Sequence, residues 1–206
     1  MQSLFLILYM NKLYPIFLKT DRINILVVGG GKVALEKLHF LYKSSPNSNV
    51  KVVSKTFVED IISMEKMIGS LELIVDQYNE VYLDGIQIVI AATDINEINM
   101  KVYEDCKHRG VLVNVADNPE YCDFYMGSIV TKGNLKIGIS TNGKSPTGAK
   151  RLRQFFEEVL PDSLDELLDN LNKYRNSIKG DFDSKVATMN KLTKNLLDGF
   201  KTNFKD

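Results

Sequence analysis

The chain has 206 residues, with 26 Lys and Arg balanced by 26 Asp and Glu and a pI near 6.7. That neutrality argues against nucleic acid as the main partner, while 44% hydrophobic residues suffice for a core in one or two domains. No apolar run approaches the roughly 18 residues of a membrane helix, and Cys106 and Cys122, without a C-x-x-C, indicate neither a disulfide framework nor a structural zinc site, which fits a reducing cytoplasm.

Leu4 to Tyr9 is apolar but short, with no basic flank and no small-residue cleavage site, so it does not read as a signal peptide. Met10-Asn-Lys-Leu-Tyr-Pro reads as the start of the first element, and residues 1–9 are expected to be a frayed extension.

A β-branched run, Ile23 to Val28, predicts the first strand. It runs into Gly29-Gly30-Gly31-Lys32-Val33-Ala34, a G-x-G-x-x-A spacing at a strand-to-helix junction. Gly29 allows a tight turn, Gly31 a close backbone approach to a pyrophosphate, and Ala34 tight packing of the helix on the strand. The pyrophosphate would sit on the free N–H groups of the helix that follows. Gly29, Gly30, Gly31, Lys32 and Val33 are therefore candidate cofactor-binding residues, although three glycines also suit a plain tight turn.

The pattern then alternates. A helix is predicted over Lys32–Tyr42, a strand over Val50–Val53, a helix over Phe57–Met67, and strands over Leu71–Val75 and Ile86–Ala92. The fourth strand is apolar on both faces, as in a buried parallel sheet. Thr93 and Asp94 follow it as further cofactor candidates, and Asp94-Ile-Asn-Glu97 predicts a capping box with Asp94 as N-cap. The next helix should stop at Gly110, before a fifth strand over Val111–Val115. The fold class predicted is α/β, a Rossmann-like doubly wound parallel sheet whose ligands lie beyond the carboxyl ends of its strands. The acidic residue expected about 20 residues past the glycine turn, on the ribose hydroxyls, is missing. Ser54 can bond a ribose hydroxyl and Lys55 can tolerate a 2′-phosphate, so NAD and NADP both stay open.

After Val115 the chain changes character. Asn114-Val-Ala-Asp117-Asn-Pro leads through Cys122-Asp123-Phe124 at a strand's carboxyl end, where Asp117 is either a reacting carboxylate or a turn former. Ser128–Thr131 and Leu135–Ser140 predict a hairpin outside the alternation, a natural surface for pairing across a two-fold homodimer. In Ser140-Thr141-Asn142-Gly143-Lys144-Ser145-Pro146, Ser145 is a candidate N-cap and Pro146 the first helical residue. Lys144, Lys150, Arg151 and Arg153 oppose the helix dipole there, a placement that suits a bound polyanion or a solvated face. Two apolar stripes, Leu164 to Ile178 and Val186 to Phe200, broken at Gly180, predict a helical end. Residues 1–115, 116–147 and 148–206 are expected as cofactor domain, dimerisation and active-site β region, and helical domain. His39 and His108 fall within or at the end of helices, and both read as structural.

The segments Val27 to Ala34, Ile90-Ala-Ala-Thr-Asp94 with Asn99, Asn114 to Pro119 with Cys122-Asp-Phe124, and Ile139 to Pro146 together resemble the precorrin-2 dehydrogenases of the siroheme-synthase family, over roughly Tyr14 to Pro161. The resemblance implies NAD-dependent oxidation of precorrin-2 to sirohydrochlorin in the cytoplasm, and in bifunctional members insertion of ferrous iron to give siroheme. With the hairpin, the balanced charge and the short apolar runs read above, a homodimer with no membrane or nucleic acid partner is expected. Asp117 matches the family's key aspartate, thought to serve both reactions, and any metal handling would lean on it with Asp123 as a candidate companion; Thr141, Asn142, Gly143 and Ser145 are substrate-binding candidates, and Lys144, Lys150, Arg151 and Arg153 would anchor the substrate carboxylates. The fused methyltransferase module of some members is not expected in this chain, so the chain would act on precorrin-2 made elsewhere. A helical domain of this kind helps cover the substrate cleft in the family, with Lys173 or Arg175 in reach of a carboxylate. Two rivals remain: a non-catalytic NAD-responsive module, which has no need of Asp117, and an oxidoreductase for another substrate, which should lack the 140–146 segment.

Overall fold

The computed structural model describes Asn11 and residues 13–194, so the expected extension 1–9 and the stripe positions Leu196, Leu197 and Phe200 lie outside the described residues. Five strands, β1 (Asn24–Val28), β2 (Asn49–Ser54), β3 (Leu71–Val75), β4 (Ile88–Ala91) and β5 (Leu112–Val115), form one sheet in the order β3-β2-β1-β4-β5. All pairings are parallel. The register sets Val28 opposite Val53 on one side and Ala91 on the other, so Gly29, Ser54 and Ala92 emerge at the same edge.

Side chains alternate across this sheet. Ile25 and Val27 pack on one face with Ala34 and Leu38 of α1 (Lys32–Ser44) and Ile61 and Met64 of α2 (Glu59–Met67). Leu26 and Val28 pack on the other with Val102 and Cys106 of α3 (Asn96–Arg109). All four residues of β4 are buried. Each fully buried Val, Leu or Ile contributes about 1.5–3 kcal/mol, more than the strand or helix propensities at stake. That is why the apolar runs were sufficient to predict the doubly wound sheet. Helix α3 ends as predicted, on Gly110 in the left-handed region (φ 67°), with Lys107, His108 and Arg109 at the negative end of its dipole.

The capping box is corrected. Helix α3 begins at Asn96 with Ile95 at the N-cap and no side-chain cap, so Asp94 stands one residue too early. Thr93 and Asn99 order this junction instead: Thr93 N–H and Oγ1 both reach Asn99 Oδ1 (3.2 and 2.7 Å), Asn99 Nδ2 donates to Thr93 C=O (2.9 Å), and Ile95 N–H donates to Thr93 Oγ1 (3.2 Å). Asn99 is buried, which makes those bonds obligatory.

Strands β6 (Ser128–Lys132) and β7 (Leu135–Ile139) form a separate two-stranded hairpin turning at Gly133 (φ 53°). Three helices follow: α4 (Pro146–Val159), α5 (Leu164–Ser177) and α6 (Phe182–Thr193). Among the described residues no helix is long and apolar enough to cross a membrane. The chain divides into two compact units. The first holds the described residues up to Val130 with Ile137–Gln154; the second holds Thr131–Lys136 and the described residues from Phe155. Within the second, Asp165 Oδ1 accepts from the Asn134 N–H (2.6 Å), and Asp181 caps α6 by accepting from the Ser184 N–H (2.9 Å).

Candidate cofactor cleft and active site

The sheet order makes a crevice where the chain reverses direction between β1 and β4, and a cleft of about 570 Å³ lies there. Its floor is the glycine turn. Gly29 adopts φ 125°, and a Cβ on it would lie 2.4 Å from the Ala92 carbonyl oxygen. A Cβ on Gly30 would lie 2.1 Å from the Thr56 carbonyl oxygen, but one on Gly31 would meet nothing within 4 Å. The first two glycines are therefore demanded by packing, while Gly31 keeps space open above the backbone.

Main-chain bonds fix the turn: Gly29 N–H to Val53 C=O (3.0 Å), Ala92 N–H to Val28 C=O (2.8 Å) and Val58 N–H to Gly30 C=O (2.9 Å). The first intrahelical bond of α1 runs from Leu35 N–H to Gly31 C=O (3.0 Å), so the amides ahead of Leu35 have no helical acceptor. No acidic residue occupies that first turn, and Ala34 is fully buried against the sheet. These features fit a dinucleotide pyrophosphate, with N–H donors aimed at an anion and no carboxylate to repel it.

Gly29, Gly30, Gly31, Lys32, Val33, Ser54, Thr93 and Asp94 all line this one cleft. Sequence reasoning missed Asp76, Gln77 and Tyr78, which line it too from the carboxyl end of β3. Their position directly after the third strand was the available signal. Asp76 accepts from the Gln77 N–H (2.7 Å) and the Tyr82 hydroxyl (2.5 Å), and these bonds, the phenol's first, hold its carboxyl below the usual carboxylate range. Tyr78 is buried and donates to Asp105 Oδ2 (3.1 Å); burial first, then the Asp105 charge, push its phenol far up.

Asp117 lies outside the residues lining the cleft, just beyond β5. Its turn is closed by Asn118 N–H to Val115 C=O (3.2 Å), and Ala116 N–H to Ala91 C=O (2.9 Å) ties it to the neighbouring strand. Asp117 adopts φ 59°, a left-handed conformation that Asp tolerates better than most residues. Its side chain is exposed and has no hydrogen-bond or ion-pair partner among the described residues. The neighbours are committed. Asp123 accepts from Val113 N–H (3.1 Å) and Lys107 Nζ (2.7 Å), and Asn114 Nδ2 donates to Phe124 C=O (2.8 Å). Cys122 Sγ lies 3.3 Å from the Val115 and Asn118 carbonyls, and burial pushes its thiol up. Among the described residues no three His, Cys, Asp or Glu side chains converge as a metal cluster, and His39 and His108 are both exposed.

The 140–153 segment forms a second constellation. Lys144 N–H donates to Thr141 C=O (3.1 Å) across Asn142 and Gly143, both left-handed (φ 55° and 75°). Thr141 Oγ1 accepts from Ser145 N–H (3.1 Å), and Ser145 Oγ accepts from Gly148 N–H (3.0 Å), the N-cap bond predicted for it ahead of Pro146. Lys144, Lys150 and Arg151 are exposed and Arg153 half-buried; Arg151 Nη1 donates to Gln154 Oε1 (3.0 Å).

Residues 16–128, more than half of the chain, match a family model described as "Putative NAD(P)-binding", and residues 132–158 match one described as sirohaem biosynthesis protein central. Similar relatives are a siroheme synthase of Psychrobacter arcticus (33% identical over 177 residues, 85% of this chain and 31% of that one), a siroheme synthase of Pseudoalteromonas translucida (34% over 168 residues, 82% and 35%), and siroheme synthase 1 of Pectobacterium atrosepticum (36% over 165 residues, 80% and 34%). The chain spans about a third of the length of these relatives. A solved structure described as SirC, precorrin-2 dehydrogenase, shares the fold with a TM-score of 0.72 at 21% identity, covering 87% of this chain and 89% of that one. Two family models matched in succession, together with siroheme synthases as its relatives, place this chain in the NAD(P)-binding family, among the siroheme synthase homologues.

Proposed function

We propose that this chain oxidises precorrin-2 to sirohydrochlorin with NAD as hydride acceptor. The observation that carries the reading is Asp117: an unpartnered carboxylate on a left-handed turn, at the same sheet edge as the glycine cleft and one strand beyond it. The likeness to siroheme synthases and to SirC supports the choice of substrate.

In this reading the N–H groups of Gly31, Lys32 and Val33 bind the pyrophosphate, Ser54 takes a ribose hydroxyl, and Thr93 and Asp94 border the nicotinamide half. Bound nicotinamide supplies the hydride acceptor. Loss of a hydride from the tetrapyrrole leaves a proton to be removed, and Asp117 takes it as general base, so that substrate, oxidised cofactor and carboxylate become product, reduced cofactor and a protonated carboxyl, which then releases its proton to water. The substrate's carboxylates are held by Lys144, Lys150, Arg151 and Arg153, with Thr141 to Ser145 shaping the approach to them. A hairpin of two strands is marginal by itself; pairing of β6–β7 across a two-fold axis makes the working form a cytoplasmic homodimer, which light scattering checks against twice 23.3 kDa.

The test is anaerobic: enzymatically generated precorrin-2, the chain, and NAD or NADP, following sirohydrochlorin and reduced nicotinamide. Stoichiometric NAD-dependent oxidation is expected. No oxidation by folded protein with either cofactor overturns the reading in favour of a non-catalytic nucleotide-binding module. Ferrous iron, added afterwards as a substrate, shows whether siroheme forms faster than in the protein-free control.

A further inference from the structure

We propose that Asp76, presented by the loop after β3, makes the cleft select a dinucleotide without a 2′-phosphate. The proposal rests on the reading of the cleft as the dinucleotide site.

Outward from the crevice the strands run β1, β2, β3, and the cleft takes lining residues from the carboxyl end of each: Gly29–Gly31, then Ser54, then Asp76. A pyrophosphate on the glycine turn sends one nucleoside outward along that row. Ser54 Oγ lies 2.8 Å from where a Cβ on Gly30 would sit, so it leans over the glycine turn. Asp76 N–H donates to Ser54 C=O (3.1 Å), which puts Asp76 next in the row. The acidic residue that such folds place after the second strand, to bind ribose hydroxyls and reject a phosphate there, is replaced in this chain by Ser54-Lys55, and β3 brings a carboxylate to the same stretch.

That carboxylate is fixed. Each oxygen accepts one hydrogen bond, from Gln77 N–H and the Tyr82 hydroxyl, and each keeps capacity for another, such as a ribose hydroxyl. The loop is anchored through buried Tyr78 to Asp105 of α3. The same hydrogen bonds keep the Asp76 carboxyl ionised well below neutral pH. Lys55, which also lines the cleft, is the one lining residue that argues for a phosphate besides Lys32 at the turn itself. It is exposed, without a hydrogen-bond or ion-pair partner among the described residues, on a flexible stem that must lose rotamer freedom to engage a ligand. A fixed negative charge opposed by a mobile positive one leaves a 2′-phosphate disfavoured.

Calorimetric titration of the full chain with NAD and with NADP tests this. NAD should bind about tenfold or more tightly than NADP. Asp76→Asn should shrink that preference about tenfold, mainly through tighter NADP binding. Tyr82→Phe should shrink it less, and Lys55→Ala should widen it. Asp76→Ser serves as the second variant if the first does not fold. Equal affinity of the wild type for both nucleotides, or a preference unchanged in a folded Asp76 variant that binds NAD, overturns this proposal alone. Binding of neither nucleotide by the folded wild type overturns it together with the reading of the cleft.

Discussion

Gly30 and Asp117 both sit just beyond a carboxyl end of the same sheet, yet one has no room for a methyl group while the other leaves its side chain in solvent. Around Gly30 three backbone hydrogen bonds bracket the turn, and the Thr56 carbonyl, the Phe57 ring and the Ser54 hydroxyl fill the space a Cβ would need. Around Asp117 the backbone is also tied down, by Asn114, Asp123 and the Ala116 amide, but the ties serve to expose one carboxylate. A site that holds a pyrophosphate uses dipoles every residue owns, and its specificity is written in what must be absent. A site that moves a proton needs one particular side chain. Damage on the first side should register as lost fold or lost affinity, and on the second as lost turnover.

The largest effect that would sharpen this contrast is Asp117→Ala. Oxidation of precorrin-2 should fall by about 100-fold or more, with NAD affinity within a few-fold of wild type. Lost NAD binding with intact chemistry would break the division between the two sides. Next come two glycines one residue apart. Gly31→Asp should fold with an unchanged melting temperature, because nothing stands within 4 Å of its Cβ, and still weaken NAD about tenfold or more by placing a charge at the proposed pyrophosphate position. Gly30→Ala should instead lower stability by about 1–3 kcal/mol through its clash with Thr56, as read from denaturant unfolding. Unchanged NAD affinity in Gly31→Asp would mean the turn is only structural.

A smaller effect is expected at Asn99. Truncation to Ala leaves the Thr93 amide and carbonyl without their partners and should cost about 1–3 kcal/mol by the same unfolding assay. The smallest belongs to the second unit. Asp181 caps α6, and its hydrogen bonds to Ser184 depress its carboxyl below the usual range. A depressed folded value means its contribution is present above the ordinary carboxylate range and fades as pH falls through the lowered one. Asp181→Asn keeps a capping oxygen and should flatten that part of the acid dependence, followed by helical circular dichroism between pH 5 and about pH 2.

Much of the first unit was readable in advance because its strands are buried on both faces, which leaves unbroken apolar runs such as Ile88–Ala91. Strand ends were less so. Asn49 joins β2 because it pairs with Asn24, and Ser54 because it pairs with Val75, facts of register that no local pattern carries. Asp94 with Glu97 imitates a capping box, but a buried Asn99 outcompetes it for the same turn. Asp76 escaped notice for a related reason: it belongs to the cleft only because β3 lies beside β2, and sequence spacing does not give strand order. The glycine turn, Asp117 and the Ser145 cap were legible because each depends on a few adjacent residues.

The Asn99 clamp has a further consequence for recognition. The loop after β4 lines the cleft already ordered, its backbone held by a side chain from α3. Fixing a residue's backbone costs about 1–2 kcal/mol, and a loop that ordered itself only around its ligand would subtract that from every binding event. Here the ordering belongs to folding, so the nucleotide meets a preformed wall. Affinity is thereby tied to local stability, and gentle destabilisation of α3 should loosen nucleotide binding before the sheet itself gives way.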